Sequence, residues 1–266
     1  MDSFMSGVDM INLSSKDIIK VSSSDEVSCN TSSNGYIRKW IKDNKFIKYD
    51  ALGYSDYVEY LVSRLLSFSN INPDLVLQYS LCNVQLDDKT FLDCSVSKNF
   101  LNDGESFVSC KKLLLSYGCP LSVGYEDLLF FMESIVKVSF REYLNTILNL
   151  DAIIFNDDRH FGNLGIIINN ITGQVRLAPI FDNGAGLLSD TFMYPMSTLV
   201  QSNLKGVYAK PFYTDFGRQV HMENCLKIDI NSFFSSINPE TKYEERAIEV
   251  LRIGLNLWEG KAWIPF

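Results

Sequence analysis

Apolar and polar residues alternate along much of the first part of the chain, the pattern of β-strands that bury one face. The predicted strands are 17–21, 36–42, 45–49, 75–84 and 90–96. The strands 36–42 and 45–49 enclose Asp43-Asn44, a sequence typical of a tight hairpin. From Ser55 to Ser69 the apolar residues recur at helical spacing instead, and Ser55 is the predicted N-cap. This part of the chain therefore predicts a small sheet that carries one helix.

Helical periodicity replaces alternation in the second part of the chain. The predicted helices are 107–117, 125–138, 140–150 and 242–258. The change of pattern near residues 100–104 predicts a boundary within a single domain. We expect a small N-terminal lobe over residues 1–101 and a larger, mainly helical C-terminal lobe over residues 102–266.

Composition and charge indicate a globular protein and argue against nucleic-acid binding. The chain has 266 residues, of which 46% are hydrophobic, enough for a sizeable core. A net charge of −8 and a pI near 4.9 argue against a surface that neutralises nucleic-acid phosphates. We therefore expect no direct nucleic-acid binding.

The cysteines and the apolar runs indicate a cytoplasmic protein. Six cysteines form no C-x-x-C pair, and we interpret them as reduced thiols. The first residues are acidic and lack a basic start before an apolar run, so no signal peptide is predicted. No apolar run has the length of a membrane span.

The strongest chemical pattern consists of three polar residues, Asp158, Asn163 and Asp182. Asp158 precedes Asn163 by five positions, and a predicted hairpin with strands 164–168 and 174–180 then leads to Asp182. Such a hairpin brings Asp182 back beside Asn163. Carboxylate and amide oxygens are suitable ligands for Mg²⁺, and a carboxylate on a loop is suited to accept a hydroxyl proton. Protein kinases place these side chains in the same order.

An ordinary loop would also use these residue types, because Asp, Asn and Gly tolerate tight turns. The apolar surroundings favour a site instead. Residues 153–155, 165–168 and 179–181 are apolar, so each polar side chain stands at the end of a predicted buried element.

The first part of the chain offers a lysine and a glutamate for the same chemistry. Lys48 lies on the predicted third strand, and Glu59 follows on the next predicted helix. In kinase folds such a pair holds the ATP phosphates. Lys42 and Lys45 are the competing lysines. A solvated Lys48 and a solvated Glu59 are the ordinary alternative.

The Ser-rich segment 22–35 is predicted to be a loop and is a weak phosphate-binding candidate. Its part from 28 to 35 has a single glycine and matches neither the P-loop nor the G-x-G-x-x-G pattern. Its hydroxyl groups suggest autophosphorylation as a hypothesis.

Several stretches of the chain resemble the HipA-like kinases, bacterial serine/threonine kinases related to the toxins of toxin–antitoxin pairs and distantly similar to phosphoinositide kinases. These stretches are 46–48, 59–66, 94–100, 158–163 and 178–182. The resemblance covers roughly residues 36–190. It implies an α+β, two-lobed protein-kinase-like fold with ATP bound between the lobes, near residues 94–100.

The resemblance also implies a role for each matched residue, and His160 would support the loop that contains Asp158. Toxins of the family carry an additional N-terminal subdomain that meets the antitoxin. The chain before Lys48 is short for such a subdomain, so an antitoxin partner is in doubt. The implied roles are Asp158 as catalytic base, Lys48 and Glu59 as ATP-binding residues, and Asn163 and Asp182 as Mg²⁺ ligands.

We therefore expect an ATP- and Mg²⁺-dependent phosphotransferase, a serine/threonine protein kinase of HipA-like type acting on a protein acceptor. A cytoplasmic bacterial location is expected, with secretion as an effector left open. A lipid or small-molecule kinase would use the same residues. A catalytically silent nucleotide-binding module is the alternative from another class, although it has no physical need for Lys48, Asp158, Asn163 and Asp182 together.

Overall fold

The computed structural model describes residues 18–27, 37–51, 53–220 and 226–260, and these residues form a mixed α+β structure with two sheets. The mixed class is the one that the sequence predicts. The strands are β1 Ile18–Lys20, β2 Ile37–Lys42, β3 Lys45–Asp50, β4 Tyr79–Gln85, β5 Phe91–Lys98, β6 Glu105–Ser109, β7 Gly165–Asn169 and β8 Val175–Leu177. The helices are α1 Ser55–Ser67, α2 Cys110–Ser116, α3 Tyr125–Phe130, α4 Arg141–Ile154, α5 Val200–Leu204, α6 Phe216–Gln219, α7 Ile230–Ser235 and α8 Lys242–Glu259.

The first sheet has five strands in the order β1-β4-β5-β3-β2. β1 pairs with β4 in parallel, and the other neighbours are antiparallel. The predicted hairpin is confirmed: β2 and β3 pair over their full length, and Asp43 and Asn44 have the positive φ angles that its tight turn requires. Tyr36, with which the predicted strand began, and the loop residues 28–35 lie outside the described residues.

Alternation along β3 separates the side chains of the two sheet faces. Ile47 is fully buried, and Lys48 points to the other face. The face of Ile47 forms a small core with β1, β2, β4 and β5. The members of this sheet core are Val21, Trp40, Ile47, Cys82, Val84, Cys94 and Val96.

Helix α1 belongs to a different and larger core. Its apolar residues Val58, Leu61, Val62 and Leu65 are fully buried, and they share one cluster with the helices of the second half of the chain, α4 and α8 among them. The predicted N-cap is wrong by one position. Tyr54 precedes the first helical turn without a side-chain cap, and the amide of Ser55 donates to the Asp50 carboxylate at 3.3 Å.

The second sheet, β6-β7-β8, corrects a predicted helix. Residues 107–109 belong to strand β6 because they pair with β7, with Phe107 opposite Ile167, and the helix starts only at Cys110. Ser109 caps this helix by accepting from the amide of Lys112 at 3.2 Å. The predicted hairpin β7–β8 is present, with a shorter second strand than expected.

The predicted helix 125–138 is also interrupted. It ends as an α-helix at Phe130 and continues as one turn of π-helix, Phe131–Ile135. The Glu133 carboxylate then accepts from the amides of Phe140 and Arg141, which start α4. The short helices α5, α6 and α7 are not predicted by the periodicity, whereas α8 is.

Two further expectations concern thiols and membranes. Cys94, Cys110 and Cys119 are free thiols, while Cys29 and Cys225 lie outside the described residues. Burial raises the pKa of the Cys110 thiol to about 12. Within the part of the chain that the structure describes, no helix is both long and apolar enough to cross a membrane.

A cavity of about 850 Å³ lies between α1, the strands β4 and β5, and residues 236–244. It is lined by aromatic and acidic side chains, Asp56 among them, and by none of the five predicted site residues. Burial, reinforced by the carboxylates of Asp50 and Asp93, raises the pKa of Asp56 to about 6.

This raised pKa predicts a pH-dependent effect of Asp56→Asn. Folded Asp56 holds its proton more tightly than the unfolded chain does, so its contribution to stability falls as pH rises from about 4 through about 6. The partial exposure of the side chain reduces the effect. At pH 7.5 we expect the free energy of unfolding of the variant to be about 1 kcal/mol higher than that of wild type, or its Tm about 3 °C higher. The gain should disappear at pH 4.5.

Thermal unfolding at the two pH values measures this difference, with the exposed Asp103→Asn as the matched control. An equal gain for Asp56→Asn at both pH values would contradict the assignment.

Candidate active site

Three of the predicted site residues meet in one set of ion pairs. Lys48 Nζ donates to Glu59 Oε1 at 2.7 Å and to Asp182 Oδ1 at 2.7 Å. Burial by itself would lower the pKa of Lys48, but the charges of Asp182 and Glu59 outweigh it and raise that pKa well above its ordinary value. For Asp182 the Lys48 charge likewise outweighs burial and holds the pKa well below its usual range. Lys48 and Asp182 are therefore both charged at neutral pH.

Of the competing lysines, Lys42 and Lys45 do not reach this cluster. Lys42 pairs with Asp25 at 3.4 Å, and Lys45 lies at the turn end of β3 opposite Lys98. Lys48 is therefore the lysine that the fold brings to Glu59 and Asp182.

Asn163 completes the group through Asp182. Its Nδ2 donates to Asp182 Oδ2. The side chain of Asn163 is 5% exposed, yet its Oδ1 has no hydrogen-bond partner. A buried amide oxygen without a partner, next to a carboxylate that is 38% exposed, is suited to bind a hard cation that arrives with its own oxygen ligands. Among the described residues, no three His, Cys, Asp or Glu side chains converge as a metal site by themselves.

The backbone around Asp182 brings its carboxylate to Lys48. Asp182 adopts a left-handed conformation with φ of 59°. The next amide, that of Asn183, donates to Glu59 Oε2 at 3.0 Å. Gly184 then passes so close to α1 that a Cβ there would lie 3.1 Å from the Ser55 carbonyl oxygen. Helix α1 and the segment after Asp182 are thus held together directly.

Asp158 lies at the open side of the site. Its amide donates to Asn156 Oδ1 at 3.1 Å, and its own carboxylate is largely exposed. Helix α4 ends at Ile154, and the left-handed φ of 52° at the next residue, Phe155, turns the chain into this loop. Lys210 Nζ lies 3.6 Å from Asp158 Oδ1, so the loop carboxylate faces a cation from a distant part of the chain.

A fully buried arginine fixes the loop that carries Asp158. The guanidinium of Arg159 binds the Asp151 carboxylate with Nε and Nη2, both at 2.9 Å. The same guanidinium donates to the Phe181 carbonyl oxygen at 2.9 Å and to Asn183 Oδ1 at 2.7 Å. Arg159 therefore joins α4, the Asp158 loop and the residues on both sides of Asp182.

His160 forms part of the turn that leads to Asn163. Its Nδ1 accepts from the amide of Gly162 at 3.1 Å, and its carbonyl oxygen accepts from the amide of Asn163 at 2.9 Å. The position of Asn163 thus depends on a tight turn built by His160.

An aromatic cluster lies beside the site. Phe181 stacks on Phe100 with ring centroids 5.5 Å apart and meets Phe107 edge-on at 5.4 Å. The rings of Phe46, in β3, and Phe100 are neighbours, with centroids 6.3 Å apart. Phe100 ends the stretch 94–100, where the resemblance places ATP.

Several residues near the site are not predicted by the sequence. Arg159 lies in the stretch 158–163, but the sequence alone does not show that it is buried or which residue pairs with it. Asp151 is an acidic residue in an apolar stretch of a helix, and this pattern indicates a buried carboxylate that needs a partner. Lys210 belongs to no local pattern.

By sequence, the chain matches no protein-family model and no curated protein. By structure, it is similar to the proinflammatory kinase CtkA of Helicobacter pylori, with 14% identity, coverage of 90% of this chain and 94% of that chain, and a TM-score of 0.58. It also aligns with HipA of Shewanella oneidensis MR-1, solved with HipB and operator DNA, with 12% identity, coverage of 88% and 67%, and a TM-score of 0.47. At these identities the likeness is one of fold. The predicted resemblance is thereby confirmed at the level of fold, and the chain shares the mixed α+β fold of the kinase CtkA.

Proposed function

We propose that this protein is an ATP- and Mg²⁺-dependent serine/threonine protein kinase of HipA-like type. The observation that carries the proposal is the position of Lys48 between Glu59 and Asp182, with the unpartnered oxygen of Asn163 beside them. The fold shared with a known kinase supports it. A two-lobed division of the chain, residues 1–101 against residues 102–266, is part of the proposal.

Lys48 is assigned to the α- and β-phosphates of ATP. Its charge is ensured by two carboxylates, and Glu59, which is 2% exposed, holds it in place. With nucleotide bound, Lys48 would exchange its contact with Asp182 for phosphate oxygens, and the Asp182 carboxylate would then be available to the metal.

Asn163 and Asp182 are the proposed Mg²⁺ ligands. Two protein ligands agree with Mg²⁺ chemistry in nucleotide sites, where phosphates and water fill the remaining positions. A Mg²⁺ ion held there would neutralise the phosphate charge that develops during transfer.

Asp158 is the proposed base. Its amide is bound to Asn156 Oδ1, which fixes the backbone of the loop, and its exposed carboxylate faces Lys210. An exposed loop carboxylate is suited to accept the proton of an acceptor hydroxyl. The metal ligand Asn163 follows five positions later in the same loop, so the hydroxyl oxygen would meet the γ-phosphate close to Asp158. Lys210 adds a positive charge at the same place.

A direct test combines labelled ATP, Mg²⁺ and the variant Asp158→Asn. Wild type is expected to hydrolyse ATP or transfer label to protein, and the variant to do so at least about 100-fold more slowly with nucleotide binding retained. The exposed Asp103→Asn is the matched control. Equal turnover in wild type and Asp158→Asn, or none in wild type with any acceptor, overturns the proposal. A panel of proteins and phosphoinositides separates a protein kinase from a lipid kinase.

Lys210→Ala should lower kcat about 10- to 100-fold, because the Lys210 ammonium stabilises charge on the transferred phosphoryl group. The KM for ATP should change little, since Lys48 binds the nucleotide. Lys205→Ala, which removes an exposed lysine of the same region, should leave both constants unchanged. Steady-state kinetics decides the matter: an unchanged kcat in Lys210→Ala would show that the 3.6 Å pair is incidental.

A further inference from the structure

The cavity beside α1 has an excess of acidic side chains. Its volume of about 850 Å³ lies in the range of sites that hold small organic ligands. Among the described residues that line it, Arg64 is the one cationic side chain, and its Nη2 already donates to the Ser236 carbonyl oxygen at 3.4 Å. Five lining residues carry carboxylates, and these are Asp50, Asp56, Asp93, Glu240 and Glu244.

One group of carboxylates lies where the sheet meets the first turn of α1. Asp50 ends β3, and its carboxylate accepts from the amide of Ser55 at 3.3 Å. Asp56 follows in the same turn, and the charges of Asp50 and Asp93 add to burial in raising its pKa. Within the described ranges, no cation pairs with the Asp56 carboxylate. A positive charge brought by a ligand would therefore stabilise the ionised form of Asp56.

A second group of carboxylates lies at the start of α8. The amide of Glu240 donates to Glu244 Oε2 at 2.7 Å, so the two residues share one turn. The Glu244 charge lies close to α1, because it adds to burial in raising the pKa of Tyr57. The residues 236–244 form a different wall of the cavity from the strands, so negative charge lies on two of its walls.

Tyrosine rings line the cavity together with the carboxylates. Tyr54 stacks on Tyr243 with ring centroids 5.5 Å apart, and the rings of Tyr57 and Tyr60 are neighbours at 6.0 Å. Aromatic faces attract ammonium groups and offer apolar contact to methylene chains. Among the described residues, no three His, Cys, Asp or Glu side chains converge to hold a metal ion. The lining therefore suits an organic cation with an alkyl chain better than a bare metal ion.

Tyr79 and α1 separate this cavity from Lys48. Tyr79 lines the cavity, and Lys48 Nζ lies 5.8 Å from the centroid of its ring. Glu59, which binds Lys48, lies on α1 and does not line the cavity. The cavity is therefore a second site, next to the proposed nucleotide site but built from other residues.

We propose that this cavity binds a linear polyamine, an alkyl chain that carries two or more ammonium groups. One ammonium group pairs with the carboxylates around Asp56, a second pairs with Glu244, and the methylene chain between them packs on the tyrosine rings. Two acidic walls favour such a ligand over a monoamine, which can pair with only one of them. The proposal does not depend on the proposed kinase function.

Isothermal titration calorimetry of the full chain with spermidine, at low salt and without nucleotide, tests this proposal. We expect saturable binding of a single spermidine per chain, and n-butylamine should bind at least about 10-fold more weakly. Asp56→Asn and Glu244→Gln should each weaken spermidine binding about 10-fold or more, because each removes a charge from one wall. Asp103→Asn, at an exposed position outside the cavity, is the matched control and should bind like wild type.

Both cavity variants are expected to fold. Asp56→Asn removes a carboxylate whose burial is unfavourable, and Glu244→Gln keeps an acceptor for the Glu240 amide. Thermal unfolding of the two variants checks this expectation.

Several results would overturn the proposal. The first is the absence of saturable spermidine binding to wild type, and the second is equal binding by wild type, Asp56→Asn and Glu244→Gln. Binding of n-butylamine as tight as that of spermidine would contradict the use of two acidic walls. A tetralysine peptide that binds through Asp56 while spermidine does not would assign the cavity to a segment of a partner protein, and this result also overturns the proposal.

Discussion

Asp182→Asn is expected to reduce phosphoryl transfer by about 1000-fold or more while the protein stays folded. The substitution keeps the size of the side chain and removes the charge that faces Lys48 and the proposed metal. Lys48 retains its 2.7 Å contact with Glu59, so the sheet and α1 remain joined. Loss of a group that acts mainly in the transition state appears in kcat more than in KM.

Turnover of labelled ATP over a range of Mg²⁺ concentrations measures this effect, and thermal unfolding checks the fold. Asp74→Asn, at an exposed position away from the site, is the matched control. If Asp182→Asn keeps wild-type turnover at every Mg²⁺ concentration, Asp182 is not a metal ligand.

Arg159→Met should lower the free energy of unfolding by about 3–5 kcal/mol. The substitution leaves the Asp151 carboxylate buried in α4 without its cation and removes donors from the Phe181 carbonyl oxygen and from Asn183. Both Arg159 and Asp151 are fully buried, so water cannot replace the lost contacts. Chemical denaturation of wild type and variant gives the difference directly.

The exposed pair Arg141–Glu126 is the control for this prediction. Arg141→Met removes an ion pair of 3.1 Å between two exposed side chains and should cost at most about 0.5 kcal/mol. The double variant Asp151→Leu/Arg159→Met should recover part of the loss, because it leaves no buried charge behind. A cost for Arg159→Met no larger than that for Arg141→Met would show that the buried network does not support the fold.

The grouping of the candidate site residues is predictable from the sequence because short-range structure fixes most of it. Asn163 and Asp182 are joined by a hairpin whose strands alternate clearly, so their proximity follows from the length of β7 and β8. The alternation along β3 likewise sets Lys48 apart from the buried Ile47. The direction of Glu59 was not readable from its neighbours on the helix, and only the packing of α1 decides it.

What the sequence missed depends on contacts between distant parts of the chain. Residues 107–109, Phe-Val-Ser, suit a helix as well as a strand, and their pairing with β7 decides between the two. Lys210 follows Asp158 by 52 positions in the chain. The segment between β8 and α8, which contains only short helices, brings Lys210 close to Asp158. No local pattern in the sequence marks this contact.

Lys48 and Glu59 lie on elements of different hydrophobic cores. Lys48 lies on a strand of the small sheet core, whereas Glu59 lies on a helix that packs into the large core. Their 2.7 Å ion pair therefore crosses from the sheet to α1, and a substitution that breaks it would remove a polar link between the elements of the two cores.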